Sequence, residues 1–177
     1  MTKGWTGVNA PVPGSILAAV NVYWATRRYT AQTDRVLDNR AVGYGVLLAL
    51  RGTVNIRSAG RAWLVTPGLV FVRRPHVAYD FEFGTDSECL SVGLRATLFG
   101  SLDLLSGIDA PRLWEPTSDD HDLLCACLGE MVNTTGRTEP AARLVTTGLA
   151  QAVVGLVCRA LTPAQAASRL LSTPPWL

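Results

Sequence analysis

The spacing of apolar residues changes once along this chain, near residues 111–116, and this change constrains the fold more than any other feature. Before it, short apolar segments alternate with glycine-containing turns, a pattern typical of the strands of a sandwich or barrel. After it, apolar residues recur at intervals of three and four, which predicts helices. A chain of 177 residues can bury one core with a small additional layer. The expected class is α+β, a β-barrel followed by two antiparallel C-terminal helices.

Two kinds of strand are expected in the first part of the chain. Leu90, Val92 and Leu94 alternate with small or polar residues, as in a strand with one buried face. Residues 45–50 are apolar throughout, so we expect that strand to be covered on both faces, on one of them by the later helices. The predicted strands are residues 16–24, 44–50, 54–57, 62–65, 69–73, 77–83 and 89–95.

Capping and proline signals place the two helices. Thr117 or Ser118 is expected to cap the first helix, which runs to about Thr134, and the second helix begins near Pro140. In the second helix an apolar stripe steps by four, three and four residues, which is the spacing of a helix–helix seam. Two interpretations stay open, a homodimer contact or packing of the stripe on the barrel. The residues of this stripe are Val145, Leu149, Ala152 and Leu156.

Composition excludes several classes of protein. The net charge of +2 gives no basic surface for nucleic acid or an anionic membrane. The sequence shows no apolar run of the roughly 18 to 20 residues that a bilayer span needs, and no secretory signal, so we expect a cytoplasmic protein without a membrane partner. The cysteines show neither disulfide nor zinc spacing, and we expect reduced thiols in apolar surroundings.

The segment between Arg40 and Tyr79 carries a family resemblance. Its defining residues are Arg40, Tyr44, Leu47, Leu48, Gly52, Gly60, Arg61, Trp63, Thr66, Pro67, Gly68, Arg74, Pro75, His76 and Tyr79. This run resembles the cupin-like, jelly-roll-type sensor domain of AraC/XylS transcription regulators, and the resemblance extends over residues 15–162. It implies a domain that senses a small-molecule effector inside the barrel and forms a homodimer through the second helix.

The resemblance also implies a division of the chain. Residues 1–15 would form an N-terminal arm, residues 16–110 the effector-binding barrel, residues 111–162 a helical dimerisation subdomain, and residues 163–177 a linker. The closing segment, residues 172–177, looks like the entry to the family's helix-turn-helix domain. DNA is therefore expected to be bound only through a domain absent from this chain. Trp5 is a candidate latch by which the arm closes on the barrel.

The candidate effector-binding residues are Trp24, Arg40, Tyr44, Trp63, Arg73, His76 and Tyr79. Arg40 either pairs with a carboxylate effector or makes an ordinary salt bridge with Asp34, Asp38 or Glu82. His76 either contacts the effector or fixes its turn. The aromatic residues belong to the core or to a wall of the pocket. The mixture is compatible with a sugar, an aromatic acid or a lipid-like metabolite.

The main rival is a cupin enzyme that holds a transition metal through several histidines and a carboxylate. The sequence has two histidines, His76 and His121, and no H-x-H pair near residues 42–45, so we expect neither metal nor cofactor. No nucleophile motif or phosphate loop is present in the sequence. A metal-independent, isomerase-like cupin enzyme and a stand-alone dimerising cupin protein without effector remain as alternatives.

Overall fold

Two antiparallel sheets face each other, and two helices cover the outer face of the larger sheet, in the computed structural model of this chain. The structure describes residues 18–98, 102–108 and 110–161. The strands are β1 (Ala18–Thr30), β2 (Asp34–Arg40), β3 (Tyr44–Arg51), β4 (Val54–Ser58), β5 (Arg61–Val65), β6 (Val70–Arg73), β7 (Ala78–Phe83), β8 (Ser87–Leu98), β9 (Leu102–Asp103) and β10 (Arg112–Trp114). The helices are α1 (Ser118–Thr134) and α2 (Pro140–Leu161).

The strand order is that of a double-sheet jelly roll. The larger sheet runs β1-β8-β3-β6-β10, with β9 attached to β8, and the smaller sheet runs β2-β7-β4-β5. Neighbouring strands within the described residues pair antiparallel. The predicted α+β class, a cupin-like β structure followed by two antiparallel helices, is confirmed.

The apolar strand β3 is covered on both faces, as its sequence predicts. Val46 and Leu48 belong to the core that the larger sheet shares with the helices. Leu47 and Ala49 belong to a second core, between the two sheets. Since successive side chains of a strand point to opposite faces, a strand between two cores is apolar at every position.

Local signals fix the two helices where they were expected. The Thr117 side chain accepts a hydrogen bond from the Asp120 amide, so Thr117 is the cap of α1. The helices are antiparallel, because the Thr146 hydroxyl near the start of α2 donates to Thr134 Oγ1 at the end of α1, at 2.9 Å. At their other ends Arg159 of α2 forms an ion pair with Asp120 of α1.

The strand prediction missed parts of both sheets. β2 was not predicted because it lies at a sheet edge and is mostly exposed, with the burial pattern of a charged surface strand. β1 continues to Thr30, beyond the predicted end at Trp24. β10 follows residue 110, yet it pairs with β6, so the larger sheet extends past the predicted end of the barrel.

α2 is apolar over a greater length than the sequence pattern predicted. Residues 140–160 form a helix that is long and apolar enough to cross a membrane by length and composition, with a hydropathy of 1.5. Core helices of soluble proteins pass the same test; in α2, 28% of the apolar window is buried, including Val153, Leu156 and Val157, which pack in the core shared with the larger sheet and α1. The proposed arm with Trp5, and residues 163–177, lie outside the described residues.

The shared core of the larger sheet and the helices gives a stability prediction. Leu128 is 1% exposed in that core, whereas Leu123, on the other side of α1, is 47% exposed. We expect Leu128→Ala to lower the free energy of unfolding by about 2–5 kcal/mol, because it removes buried methyl groups and leaves a cavity. The matched control Leu123→Ala should change it by less than about 0.5 kcal/mol. Urea denaturation measures both, and equal effects would contradict this packing of α1.

Candidate functional site

A cavity lies between the two sheets, and its lining comes mainly from β1, β2, β3, β6, β7 and β8. Its volume is about 360 Å³, within the range of roughly 300–1,000 Å³ typical of small-molecule sites. The apolar part of its lining is formed by Val36, Leu47, Phe71, Phe81 and Phe83. The polar part includes Thr26, Asn39, Arg73, Ser91 and the indole of Trp24.

Arg73, at the end of β6, is the buried charge of this cavity. The residue is 6% exposed, and its Nη1 donates to the side-chain oxygen of Asn39 at 2.5 Å and to the Asn39 carbonyl at 3.4 Å. The guanidinium carbon lies 5.7 Å from the centre of the Trp24 ring and 5.3 Å from that of Phe81. Burial lowers the pKa of Arg73, but an arginine this basic stays charged at neutral pH. Within the described residues it has no carboxylate partner.

Two glycines make room for this arrangement. Arg73 pairs with Gly45, Gly45 pairs with Gly93, and Gly93 pairs with Trp24, so the four residues form one row across β6, β3, β8 and β1. A Cβ atom at Gly45 would overlap the Arg73 side chain, and one at Gly93 would overlap the Trp24 indole. The glycines therefore provide a flat floor on which the guanidinium and the indole lie side by side.

β-bulges in β2 and β1 orient Asn39 and Trp24 towards the cavity. In β2, Leu37 and Asp38 together stand opposite Asp80, and Asp38 has a positive φ of 48°. The extra residue turns Asn39 to the same face as Val36, towards Arg73. In β1, Tyr23 is the extra residue between the pairs Val22–Leu94 and Trp24–Gly93. Trp24 thereby reaches the glycine floor.

Two further arginines stand at the margin of the cavity, and both have acidic partners. Arg28 forms an ion pair with Asp34 and lies 4.3 Å from the centre of the Phe83 ring. Arg40 pairs with Asp38 at 3.0 Å. Of the two interpretations of Arg40, the structure shows the salt bridge. Their charges are thus already compensated, in contrast to that of Arg73.

The cavity walls offer little to acid–base or nucleophilic chemistry. Cys89 lines the cavity, but burial raises the pKa of its thiol to about 11, so it stays protonated at neutral pH. Neither Asp, Glu nor His is among the described residues that line the cavity. Within the described part of the chain, no group of three or more His, Cys, Asp or Glu residues has the arrangement needed to hold a metal ion.

Three of the seven predicted effector-binding residues, Trp24, Arg40 and Arg73, line the cavity. Tyr44 instead belongs to the core beneath the helices. Trp63 packs on Phe71, with 5.4 Å between ring centres, and outside the cavity lining. Asn39, Gly45 and Gly93 were not among the residues predicted for the site. A glycine inside a strand is a signal of close approach, and it was available at both positions.

His76 and Tyr79 have structural positions. His76 is exposed in a turn with a φ of 60°, and its amide donates to the Ala41 carbonyl at 2.7 Å. Tyr79 is fully buried between the sheets, behind the cavity wall, and its hydroxyl accepts a hydrogen bond from the Arg74 amide at 3.3 Å. Burial raises the pKa of the Tyr79 hydroxyl, which therefore remains neutral. Both residues support the strands that carry the cavity and do not line it.

The predicted dimerisation stripe on α2 is divided between two environments. Leu156 is 5% exposed in the core of this chain, and Leu149 and Ala152 pack partly against that core. Of the two interpretations of the stripe, Leu156 therefore agrees with packing on the barrel and not with its predicted place in a dimer contact. Val145 is 46% exposed and the neighbouring Leu144 is 75% exposed. The exposed apolar surface thus lies in the first two turns of α2.

Comparison with solved structures shows the same fold in a regulator. The AraC-like transcriptional activator CuxR aligns with a TM-score of 0.54 at 15% sequence identity, covering 84% of this chain and 58% of the CuxR chain. ToxT K231A from Vibrio cholerae aligns with a TM-score of 0.46 at 15% identity, covering 90% of this chain and 67% of ToxT. A cupin superfamily protein from Desulfitobacterium hafniense aligns over 44% of this chain and 77% of its own, with a TM-score of 0.38 at 14% identity.

A search of curated protein sequences gives no match to this chain. A family model does match: residues 22–175 fit the AraC-binding-like domain, a range that contains the cavity, both sheets from Val22 onward and both helices. The expected resemblance to the sensor domains of AraC-type regulators is thereby confirmed, and this chain belongs to the AraC-binding-like domain family.

Proposed function

We propose that this chain is the effector-sensing and dimerisation domain of a cytoplasmic AraC-type transcription regulator, and that it binds a small organic molecule in the cavity between its sheets. The observation that carries the proposal is the cavity around Arg73, a buried charge without an acidic partner among the described residues. The chain spans 58% of the length of CuxR, a transcriptional activator. Binding of DNA would belong to a separate domain.

Binding is favoured over catalysis by the chemistry of the cavity walls. A metal-independent isomerase needs a group that gains and loses a proton near neutral pH. The described lining residues that carry a titratable group are arginines, which stay charged, and Cys89, whose pKa of about 11 keeps it neutral. Such a wall holds and orients a molecule but does not exchange protons with it. In a stand-alone protein without an effector, the buried charge of Arg73 would have no binding role.

The two faces of the larger sheet offer a route from the cavity to the helices. In β8, Gly93 and Ser91 face the cavity side, while Val92 and Leu94 pack in the core beneath α1 and α2. A molecule that shifts β8 relative to β3 would therefore also shift the surface on which both helices rest. Ligand binding would change the position of the helices by favouring one of two packing arrangements.

Effector binding predicts a thermal shift that depends on the cavity. A compound that binds there, present at 100 times its Kd, should add about 2.7 kcal/mol of stability and raise Tm by roughly 5–11 °C. A screen of small organic acids, sugars and lipids by differential scanning fluorimetry is the measurement. Thr26→Trp should abolish the shift, because Thr26 is an exposed residue of the lining and an indole there would obstruct the opening of the cavity.

The control for this screen is Thr33→Trp, which places an indole on an exposed turn between β1 and β2, outside the cavity lining. The control should retain the shift of the unmodified chain. A compound that stabilises the chain and the Thr26→Trp variant equally would show that it binds elsewhere. Failure of every compound class would contradict the sensing function.

The exposed start of α2 predicts a homodimer contact. Leu144 and Val145 present apolar side chains to solvent, and a partner helix would remove this surface from water. We expect the double variant Leu144→Glu, Val145→Glu to be a monomer under conditions in which the unmodified chain is a dimer, as measured by size-exclusion chromatography with light scattering. The matched control Ala126→Glu, on the exposed face of α1, should remain dimeric. If the unmodified chain is monomeric at all concentrations, the proposed homodimer contact is wrong.

A further inference from the structure

The charges around the cavity do not balance. Arg28, Arg40 and Arg73 all line it, and the described lining residues include no carboxylate. Arg28 and Arg40 have acidic partners outside the lining, Asp34 and Asp38. Arg73 is more deeply buried, at 6% exposure, and has none. Buried charges in proteins are normally paired, because removing an ion from water is costly. One positive charge in the cavity therefore lacks a counter-charge.

The protein contacts of Arg73 leave hydrogen-bonding groups unused. Both hydrogen bonds found for its guanidinium within the described residues come from Nη1 and end on Asn39, a neutral residue. The rings of Trp24, Phe81 and Tyr79 lie 5.3–6.0 Å away and stabilise the charge as cation–π partners. Aromatic faces accept no strong hydrogen bond from Nε and Nη2, so these donors remain for a molecule in the cavity.

The geometry points to an organic anion as the effector: we propose that a small monocarboxylic acid with an apolar or aromatic body binds here, with its carboxylate on Arg73. A guanidinium presents two parallel donors that match the two oxygens of a carboxylate. The single uncompensated positive charge of Arg73 matches a ligand with one negative charge, whereas a phosphate monoester carries about two negative charges. The inference rests on the proposed sensing function and adds the chemical class of the effector.

The remainder of the cavity defines the body of the ligand. Besides polar side chains such as Thr26, Asn39 and Ser91, the lining has an apolar part that offers aliphatic and aromatic contacts, made of Val36, Leu47, Phe71, Phe81 and Phe83. A sugar would leave those of its hydroxyl groups that face the apolar part of the lining without partners, at a cost for each. A flat or branched hydrocarbon body buries its surface there favourably. Arg73 and the apolar part of the lining thus separate carboxylic acids of this kind from both sugars and neutral hydrocarbons.

A pair of fluorescent probes that differ by one charged group tests the inference. 8-Anilinonaphthalene-1-sulfonate is an anion, and N-phenyl-1-naphthylamine is the same body without the sulfonate. Both fluoresce in apolar surroundings, and both are titrated into the full chain at neutral pH. We expect the anion to bind at least 10-fold more tightly than the neutral probe. Thr26→Trp should abolish binding of both, while Thr33→Trp leaves both unchanged.

Removal of the charge should remove the preference. In Arg73→Gln the two probes should bind with similar affinity, and in the control Arg61→Gln, an exposed arginine of β5, the difference should persist. A displacement assay extends the test to carboxylate ligands. It uses the unmodified chain and therefore does not depend on the folding of a variant. 2-Naphthoate should displace the bound sulfonate probe at concentrations at which 2-naphthalenemethanol does not.

The outcomes separate this inference from the sensing function. If both probes bind with equal affinity and Thr26→Trp abolishes both, the cavity binds small molecules, but the anion preference is wrong. If 2-naphthalenemethanol displaces the probe as well as 2-naphthoate does, the carboxylate is not recognised and the inference fails. If neither probe binds, or if Thr26→Trp has no effect on their binding, the anion inference fails, and the proposed sensing function fails only if the compound screen also gives no thermal shift.

Discussion

Burial of the larger sheet on both faces is the constraint on which the rest of the structure depends. One face is closed by α1 and α2, through a continuous core that includes Val46, Val92 and Leu128. The other face meets the smaller sheet, and it is there that the cavity forms. Since the helices stabilise the sheet from behind, the space between the sheets need not be filled completely. A cavity costs stability, and the core beneath the helices offsets that cost.

The cavity in turn depends on two residues with no side chain. Gly45 and Gly93 pair across β3 and β8, and they leave a flat strip between Arg73 on one side and Trp24 on the other. Glycine weakens a strand because it packs nothing, so two paired glycines at the centre of a sheet need a compensating role. Here they admit the guanidinium and the indole, whose contact at 5.7 Å replaces the missing packing.

The periodic features of the fold could be predicted from the sequence, whereas the irregular ones could not. The caps and prolines of the helices, and the strand apolar on both faces, follow from spacing alone, and the structure agrees with them. Trp24, Arg40 and Arg73 were predicted as site residues from residue type and resemblance, and the structure places them in the cavity lining. Asn39 was not, because it faces the cavity only after the bulge in β2, where alternation gives the wrong face. Tyr44 was misplaced because both faces of β3 are buried, and burial alone does not say which core a residue joins.

CuxR shares this fold at 15% sequence identity. A shared fold does not by itself determine which ligand is bound. What distinguishes this chain is the environment of Arg73. The guanidinium is held by Asn39 and by aromatic rings, contacts that position it but leave its charge without a counter-charge among the described residues. Under the proposed function, an anion in the cavity would neutralise this charge and occupy the remaining donors, at a site whose orientation is already fixed. Such a counter-charge would also change the balance of forces on β6 and its neighbour β3, which is how the proposed binding would reach the rest of the larger sheet.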